Sequence, residues 1–239
     1  MPGWIEIDAP RLATLRRKPL RATFVERPHR FAARCTLRGG RMAEAHVPNP
    51  GRLTGVLAPR CRVLLDGPHP PARALAYTML AARAAGTWVG TNTIYANRVF
   101  PALLASGLFP ELNSSSVRAE VVHGRSRFDF RVGETMVEVK SVTLADGAAG
   151  RFPDAVSARA ARHCDELAAL AGAGRPAAVV FVVQRSDVES VAPEDGVDPA
   201  FGAALRGAAK AGVLVLACAL DITTERAARA RRVPVMLSG

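Results

Sequence analysis

The stretch Arg127-Phe128-Asp129-Phe130-Arg131-Val132-Gly133-Glu134-Thr135-Met136-Val137-Glu138-Val139-Lys140 decides how this chain is read. It alternates as two successive strands do. Phe128 and Phe130 are two residues apart and fall on one face, with Asp129 on the other. Glu138 and Lys140 likewise share a face, while Val137 and Val139 take the opposite one. Gly133 separates the runs and marks a tight turn. A hairpin of this kind sets Asp129 beside the Glu138/Lys140 pair. Two carboxylates and a lysine on one sheet can hold a divalent cation against a phosphodiester. Charged pairs on hairpins are also ordinary surface features, worth only about 0.2–1 kcal/mol each. The flanking elements and the charge distribution must therefore show what the hairpin is for.

Around it the chain reads as a mixed α/β sheet with helices on its faces. Thr91-Asn92-Thr93 supplies N-cap residues, and 94–108 has helical spacing. Pro101 lies inside that stretch, so the helix either kinks there or starts near Phe100. Strands are expected at 116–123, 127–131 and 135–142, then a helix over 155–173. The apolar run 177–184 reads as a strand buried on both faces. A helix over 199–211 leads into a second buried strand at 213–220, and 221–232 reads as a short basic helix before Val233-Pro234-Val235.

The first 90 residues differ. Short alternating runs occur at 21–26, 31–37, 41–47, 61–66 and 75–80, with Gly39-Gly40 placed for a hairpin and Pro48-Asn49-Pro50-Gly51 for a turn. Five strands with a short helical segment near 53–57 fit an OB-like barrel. The expected division is an OB-like nucleic-acid-binding domain over 1–88 and an α/β domain over 89–239. Charge follows the same division. Of a net +11, residues 1–85 hold 15 Lys/Arg against 5 Asp/Glu, and residues 86–239 hold 17 against 16. An excess confined to one third of the chain suits a module that meets a polyanion. Arg27, Arg30, Arg34, Arg52 and Arg73 are candidate phosphate contacts. Phe24 and Phe31 are either core or platforms for base stacking. Lysine occurs only at positions 18, 140 and 210, so its presence in the suspected site stands out against an arginine-rich background.

Cys35, Cys61, Cys164 and Cys218 are widely spaced in apolar contexts and read as reduced core residues, not zinc ligands. The start Met1-Pro2-Gly3-Trp4-Ile5-Glu6 has no basic segment leading an apolar one, and the longest apolar runs are too short to cross a bilayer. A cytoplasmic location without a membrane partner is expected.

The order helix, three strands, helix, strand resembles the core of the PD-(D/E)XK nuclease superfamily, whose second and third strands carry the Asp and the Glu-x-Lys. Further segments resemble the SfsA family, the sugar fermentation stimulation proteins. They are Pro48-Asn49-Pro50-Gly51-Arg52-Leu53, Asn92-Thr93 with Asn97-Arg98, Ser126-Arg127-Phe128-Asp129-Phe130, Val137 through Leu144, and Phe152-Pro153-Asp154-Ala155. His163 with Glu166-Leu167 and the strand end Phe181-Val182-Val183-Gln184 are also similar. The resemblance implies a cytoplasmic DNA-binding protein linked to the regulation of sugar metabolism, particularly of maltose. It also implies an OB-like domain followed by a nuclease-like one. The chain departs from the family pattern at Ala102, where relatives usually carry glutamate in the first helix of the second domain. It departs again at Ala74, where they often carry lysine, and in Arg159-Ala160-Ala161-Arg162-His163-Cys164, where they read Arg-Gly-x-Lys-His-Leu.

On this reading Asp129 and Glu138 would ligate Mg²⁺ or Mn²⁺. Lys140 would position the attacking water or stabilise developing charge. Glu120, on the preceding strand, is a candidate extra ligand, and Gln184 a candidate for orienting a ligand or water. His163 reads as a helix-surface or packing residue, and Asp154 as a residue near a helix start. The alternative is a DNA-binding regulator that does not cut, on an inherited nuclease scaffold. The sequence has no Walker A motif, no Gly-x-Gly-x-x-Gly and no nucleophile elbow, which ranks a small-molecule phosphate enzyme last. It leaves open DNA against RNA, single against double strand, and whether the chain forms a homodimer.

Overall fold

The computed structural model describes residues 3–14, 18–112, 114–124 and 126–238. Strand β1 (Ile5–Glu6) comes first, and the barrel strands follow: β2 (Leu20–His29), β3 (Ala32–Leu37), β4 (Met42–His46), β5 (Arg62–Asp66), β6 (Tyr77–Ala84) and β7 (Thr87–Gly90). They run in the order β4-β3-β2-β5-β6-β7, and a parallel pairing of β4 with β6 closes five of them into a barrel. Alternation fills its interior with Phe24, Ala33, Cys35, Ala45, Val63 and Met79. The five expected barrel strands are all present. The expected helix near 53–57 is instead a single turn, in which Leu53 O accepts from Val56 N and Leu57 N at 3.1 Å each. Leu53 is left-handed (φ 56°), which is incompatible with a helix running through it.

The second sheet is built from α1 (Ile94–Ala105), β8 (Val117–His123), β9 (Ser126–Val132), β10 (Thr135–Val142), β11 (Leu144–Asp146), β12 (Ala149–Phe152), α2 (Ala158–Gly172), β13 (Ala177–Val183), β14 (Ser190–Pro193), α3 (Pro199–Lys210), β15 (Leu214–Ile222) and β16 (Ala227–Arg232). Its seven strands run β1-β16-β15-β13-β10-β9-β8, with β10, β13 and β15 parallel at the centre. β13 is buried along its whole length, as its unbroken apolar sequence requires. One core cluster includes α1 and the other includes α2 and α3. Helix α1 begins at Ile94, where Asn92 Oδ1 accepts the Ile94 amide at 3.0 Å, so Pro101 lies within it. Asp198 caps α3 and also accepts the Ser157 amide at 2.8 Å, tying together the starts of α2 and α3.

Two expectations are corrected here. Residues 227–232 form a strand, not a basic helix. Ala227 and Ala230 are buried, and Arg229 reaches Asp221 on β15 at 2.7 Å. Alanine-rich sequence favours a helix locally, and pairing with a buried strand overrides that preference. The β11-β12-β14 sheet was not foreseen at all. The first 88 residues are also not all barrel, since Ile5 and Glu6 pair with Ala230 and Arg229 at the edge of the second sheet.

Candidate functional site

The β9–β10 hairpin turns through Gly133 (φ 56°), with Val132 opposite Thr135. The pairing runs only as far as Phe130 opposite Val137, although both strands continue. Beyond that point they part. The Asp129 side chain enters the gap, where its Oδ2 accepts the Val139 amide at 2.8 Å and its Oδ1 accepts Asn97 Nδ2 of α1 at 2.6 Å. The irregularity corrects the expectation that Phe128 and Phe130 share a face. Phe130 packs on Phe100 of α1 at 4.8 Å between ring centres, whereas Phe128 packs on His163 of α2 at 5.4 Å. Alternation slips at Asp129 because the strand leaves its partner there.

Glu138 and Lys140 share a face as expected, with Lys140 Nζ donating to Glu138 Oε1 at 2.7 Å. They are not open to solvent: Glu138 is 5% and Lys140 9% exposed. Asp129 is only partly buried. His163, read from the sequence as a surface or packing residue, is buried with its Nδ1 2.6 Å from the same Glu138 Oε1. Arg159 Nε donates to His163 Nε2 at 3.4 Å, so Nε2 is the acceptor and the proton sits on Nδ1, facing Glu138. Both donors therefore engage one oxygen, and the buried Oε2 has no hydrogen-bond partner.

The two carboxylates are tuned in opposite directions. Burial, then the charge of Glu138, raises the Asp129 pKa above the ordinary carboxylate value. Burial pushes Glu138 up as well, but the His163 hydrogen bond and the Lys140 charge outweigh it, and its pKa falls below the ordinary value. An ionised Glu138 with one bare oxygen, beside Asp129 with lone pairs to spare, is a hard-oxygen donor set that fits Mg²⁺ or Mn²⁺. Among the described residues no three His, Cys, Asp or Glu side chains converge as ligands. The remaining coordination would fall to water or phosphate oxygens, as is usual for Mg²⁺.

Glu120 does not join this set. It falls between the Ala119–Phe130 and Val121–Phe128 pairs in a left-handed conformation (φ 54°), exposed, with its carboxylate 3.3 Å from Arg127 Nη1. Gln184 sits fully buried beyond β13 and acts as a brace. Its Nε2 donates to Asn92 O at 2.8 Å and to Ser141 Oγ at 2.7 Å. Gly90 leaves room for it, because a Cβ there would lie 2.3 Å from Gln184 Oε1.

The five barrel arginines divide. Arg27 is spent on its own chain, donating to the carbonyls of Arg30, Asn49, Gly51 and Arg52. Arg34 lies between Glu26 at 2.6 Å and Glu44 at 3.3 Å, which cancel its charge. Arg30, Arg52 and Arg73 are exposed. Phe24 is core, and Phe31 is 43% exposed beside His46. Burial lifts the Cys35 and Cys164 thiols to about 12, as expected of inert core cysteines. A surface concavity of about 640 Å³ between residues 6–10 and α1 contains none of the side chains of the parted strands.

Sequence reasoning missed His163 and Asn97 as members of the site. Both lie in segments that it had singled out, but their contacts depend on helix placement. No helix among the described residues is long and apolar enough to cross a membrane.

Comparison with known proteins agrees with this architecture. Residues 25–91 match the family model described as the SfsA N-terminal OB domain, and residues 94–226 that of the sugar fermentation stimulation protein RE domain. The chain is 40% identical to the sugar fermentation stimulation protein homolog of Symbiobacterium thermophilum, over 95% of this chain and 97% of that one. It is 39% identical to the homolog of Pelobacter propionicus, over 93% and 100%. Among solved structures it is similar to Pyrococcus furiosus SfsA in complex with Ca²⁺, with a TM-score of 0.81 and 25% identity over 95% of this chain and 100% of that one. Fold, domain order and sequence agree: the chain belongs to the SfsA family, the sugar fermentation stimulation proteins.

Proposed function

We propose that this protein binds nucleic acid, with DNA as the leading substrate, and hydrolyses phosphodiesters at a divalent-cation centre between Asp129 and Glu138. The observation that carries the reading is the partnerless, buried Glu138 Oε2, on a carboxylate whose charge is felt by Asp129 where that side chain enters the gap between the two strands. That a relative's structure is described as a Ca²⁺ complex supports a cation-binding role. A bound Mg²⁺ or Mn²⁺ would supply Lewis acidity to the phosphate and acidify a bound water. The chain's own residues do the rest. Asn97 and the Val139 amide fix Asp129, while His163 and Lys140 fix Glu138 with Oε2 bare. The Lys140 ammonium then stands where charge develops on the phosphate. Arg30, Arg52 and Arg73 supply salt-dependent grip on the backbone. The protein works in the cytoplasm, apart from membranes.

A second reading, a DNA-binding regulator of sugar metabolism that does not cut, is favoured by one feature. Lys140 is almost wholly buried and already paired with Glu138, so the charges satisfy one another without substrate. Calorimetric titration with Mn²⁺, followed by incubation of labelled DNA and RNA with Mg²⁺ or Mn²⁺, separates the two. Cation binding that Glu138→Gln abolishes, with cleavage, supports the first. Salt-sensitive DNA binding with intact DNA supports the second. If the protein neither binds Mn²⁺ nor cuts, the cation centre is refuted.

A further inference from the structure

A cavity of about 210 Å³ lies where the barrel meets the α/β domain, and the cation centre makes no use of it. It is lined by the barrel loop 49–51, by Thr93 before α1, by the end of β10, and by residues 152–157 leading into α2. The junction is closely built. A Cβ on Gly51 would lie 2.1 Å from the Asp154 carboxylate oxygens, and that carboxylate accepts the Leu53 amide at 3.3 Å.

Two structural rulers relate the cavity to Asp129. Asn97 and the Val139 amide are the groups that hold that carboxylate. Thr93 precedes Asn97 by four residues, one helical turn of about 6 Å along the same side of α1. Ser141 follows Val139 by two residues, about 6.6 Å along β10. Both place the cavity within the reach of a single nucleotide from the cation centre.

Its chemistry suits a base. Phe152 and Pro153 supply apolar lining, and Phe152 packs edge-to-face with Phe201 at 5.0 Å. Ser141 Oγ accepts from Gln184, which leaves its own hydrogen to donate. Thr93 Oγ1 donates to Pro48 O at 3.1 Å, which leaves its lone pairs to accept. This donor and this acceptor, beside an aromatic ring and a proline and with Asn49 and the Asp154 carboxylate on the same lining, can read the edge of a heteroaromatic ring. Arg30 stands on the lining as a partner for phosphate. A cavity of about 150 Å³ accommodates benzene, so this one takes a single base and no base pair.

We propose, building on the nucleic-acid reading above, that this cavity receives the unstacked base of one nucleotide in a single strand whose backbone continues to Asp129. The test is a single-stranded oligonucleotide carrying 2-aminopurine, titrated with protein in Ca²⁺. Wild type is expected to raise the fluorescence several-fold as the base leaves its stack. Ala155→Phe, which fills the cavity, is expected to abolish the rise, and Arg30→Gln to weaken binding several-fold. Should Ala155→Phe not fold, Val156→Trp, at a residue 75% exposed on the same lining, replaces it. Tight binding without a fluorescence change, or a rise that survives cavity filling, overturns base insertion and leaves nucleic-acid binding standing. Failure to bind any oligonucleotide overturns both. Binding of free dAMP that cavity filling removes, with no signal from the strand, assigns the site to a free nucleotide and overturns the strand version.

Discussion

On the barrel, Arg34 sits half exposed between Glu26 and Glu44, whereas at the parted strands Lys140 is 9% exposed against Glu138 and its neighbour His163. The contacts are of similar length, but the surroundings differ. Around Arg34 water screens the charges, and little stability depends on them. Around Lys140 there is almost no water to replace a lost partner. Sequence composition counts both as charge. Structure shows that the first is surface decoration already neutralised by its own strand neighbours, and that the second is a tightly held network. The 15 Lys/Arg of the first 85 residues therefore overstate how many cations the barrel can offer to a partner, because Arg27 and Arg34 are already engaged.

Lys140→Met gives the largest expected effect. It strands the Glu138 carboxylate in a buried position with His163 as its remaining donor. Breaking a buried pair from one side costs about 3–5 kcal/mol, so urea titration should show a loss near the lower figure. Cleavage, where wild type cleaves, should fall about 10²–10³-fold. Arg34→Met should leave both nearly unchanged. Equal losses from the two variants would erase the contrast between the regions.

His163→Phe comes next. The ring packed at a tilt on Phe128 is replaced by one of similar size, so packing survives while the hydrogen bond to Glu138 is lost. Removing such a supporting contact typically costs 10- to 100-fold in metal affinity. Calorimetry with Mn²⁺ should show a loss within about that range, with a smaller drop in melting temperature than Lys140→Met gives. Unchanged affinity would mean that Glu138 is held by Lys140 alone.

The legible part of the molecule was its periodicity. The hairpin, the unbroken strand β13 and the five barrel strands all follow from spacing and turn residues. Four things were not legible. Residues 227–232 have alanines and arginines that suit a helix as well as a strand, and only the exposed edge of β15 decides between them. Phe128 and Phe130 alternate faultlessly in sequence, and only the parting of β9 from β10 sends them to opposite sides. His163 carries no sequence sign of its role, because a helical histidine becomes functional only when a strand 25 residues away lies beneath it. Arg27 failed for the same reason. Its four carbonyl acceptors gather only when loop 49–52 folds over β2.

The two carboxylates allow the buried region to be tested against itself by pH. Asp129 has a folded pKa raised above its unfolded value of about 3.9. Its contribution is full below that pH and is lost as pH rises through the folded value. Asp129→Asn should therefore gain stability relative to wild type as pH climbs from about 3.5 toward neutrality. Glu138 runs the other way. Its folded pKa is depressed, so its contribution is present above about 4.3 and disappears as pH falls through the folded value. Glu138→Gln should be penalised most at neutral pH, with the penalty shrinking in acid. Thermal melts across this range that show one sign for both variants would contradict the division of roles.

The smallest expected effect lies on the barrel and tests which arginines are free. Each phosphate contact made by a cation contributes about 0.7 to the slope of log affinity against log salt for single strands and about 0.9 for duplex. Arg52 is exposed at the junction loop, so Arg52→Gln should lower that slope by about one contact's worth. Arg34→Gln should leave the slope unchanged, since Glu26 and Glu44 already neutralise the guanidinium and no counterion on the nucleic acid is released to it. Fluorescence anisotropy at several salt concentrations reads both. If Arg34→Gln lowers the slope as much as Arg52→Gln, the surface ion pairs open on binding, and barrel charge is as available as composition alone suggests.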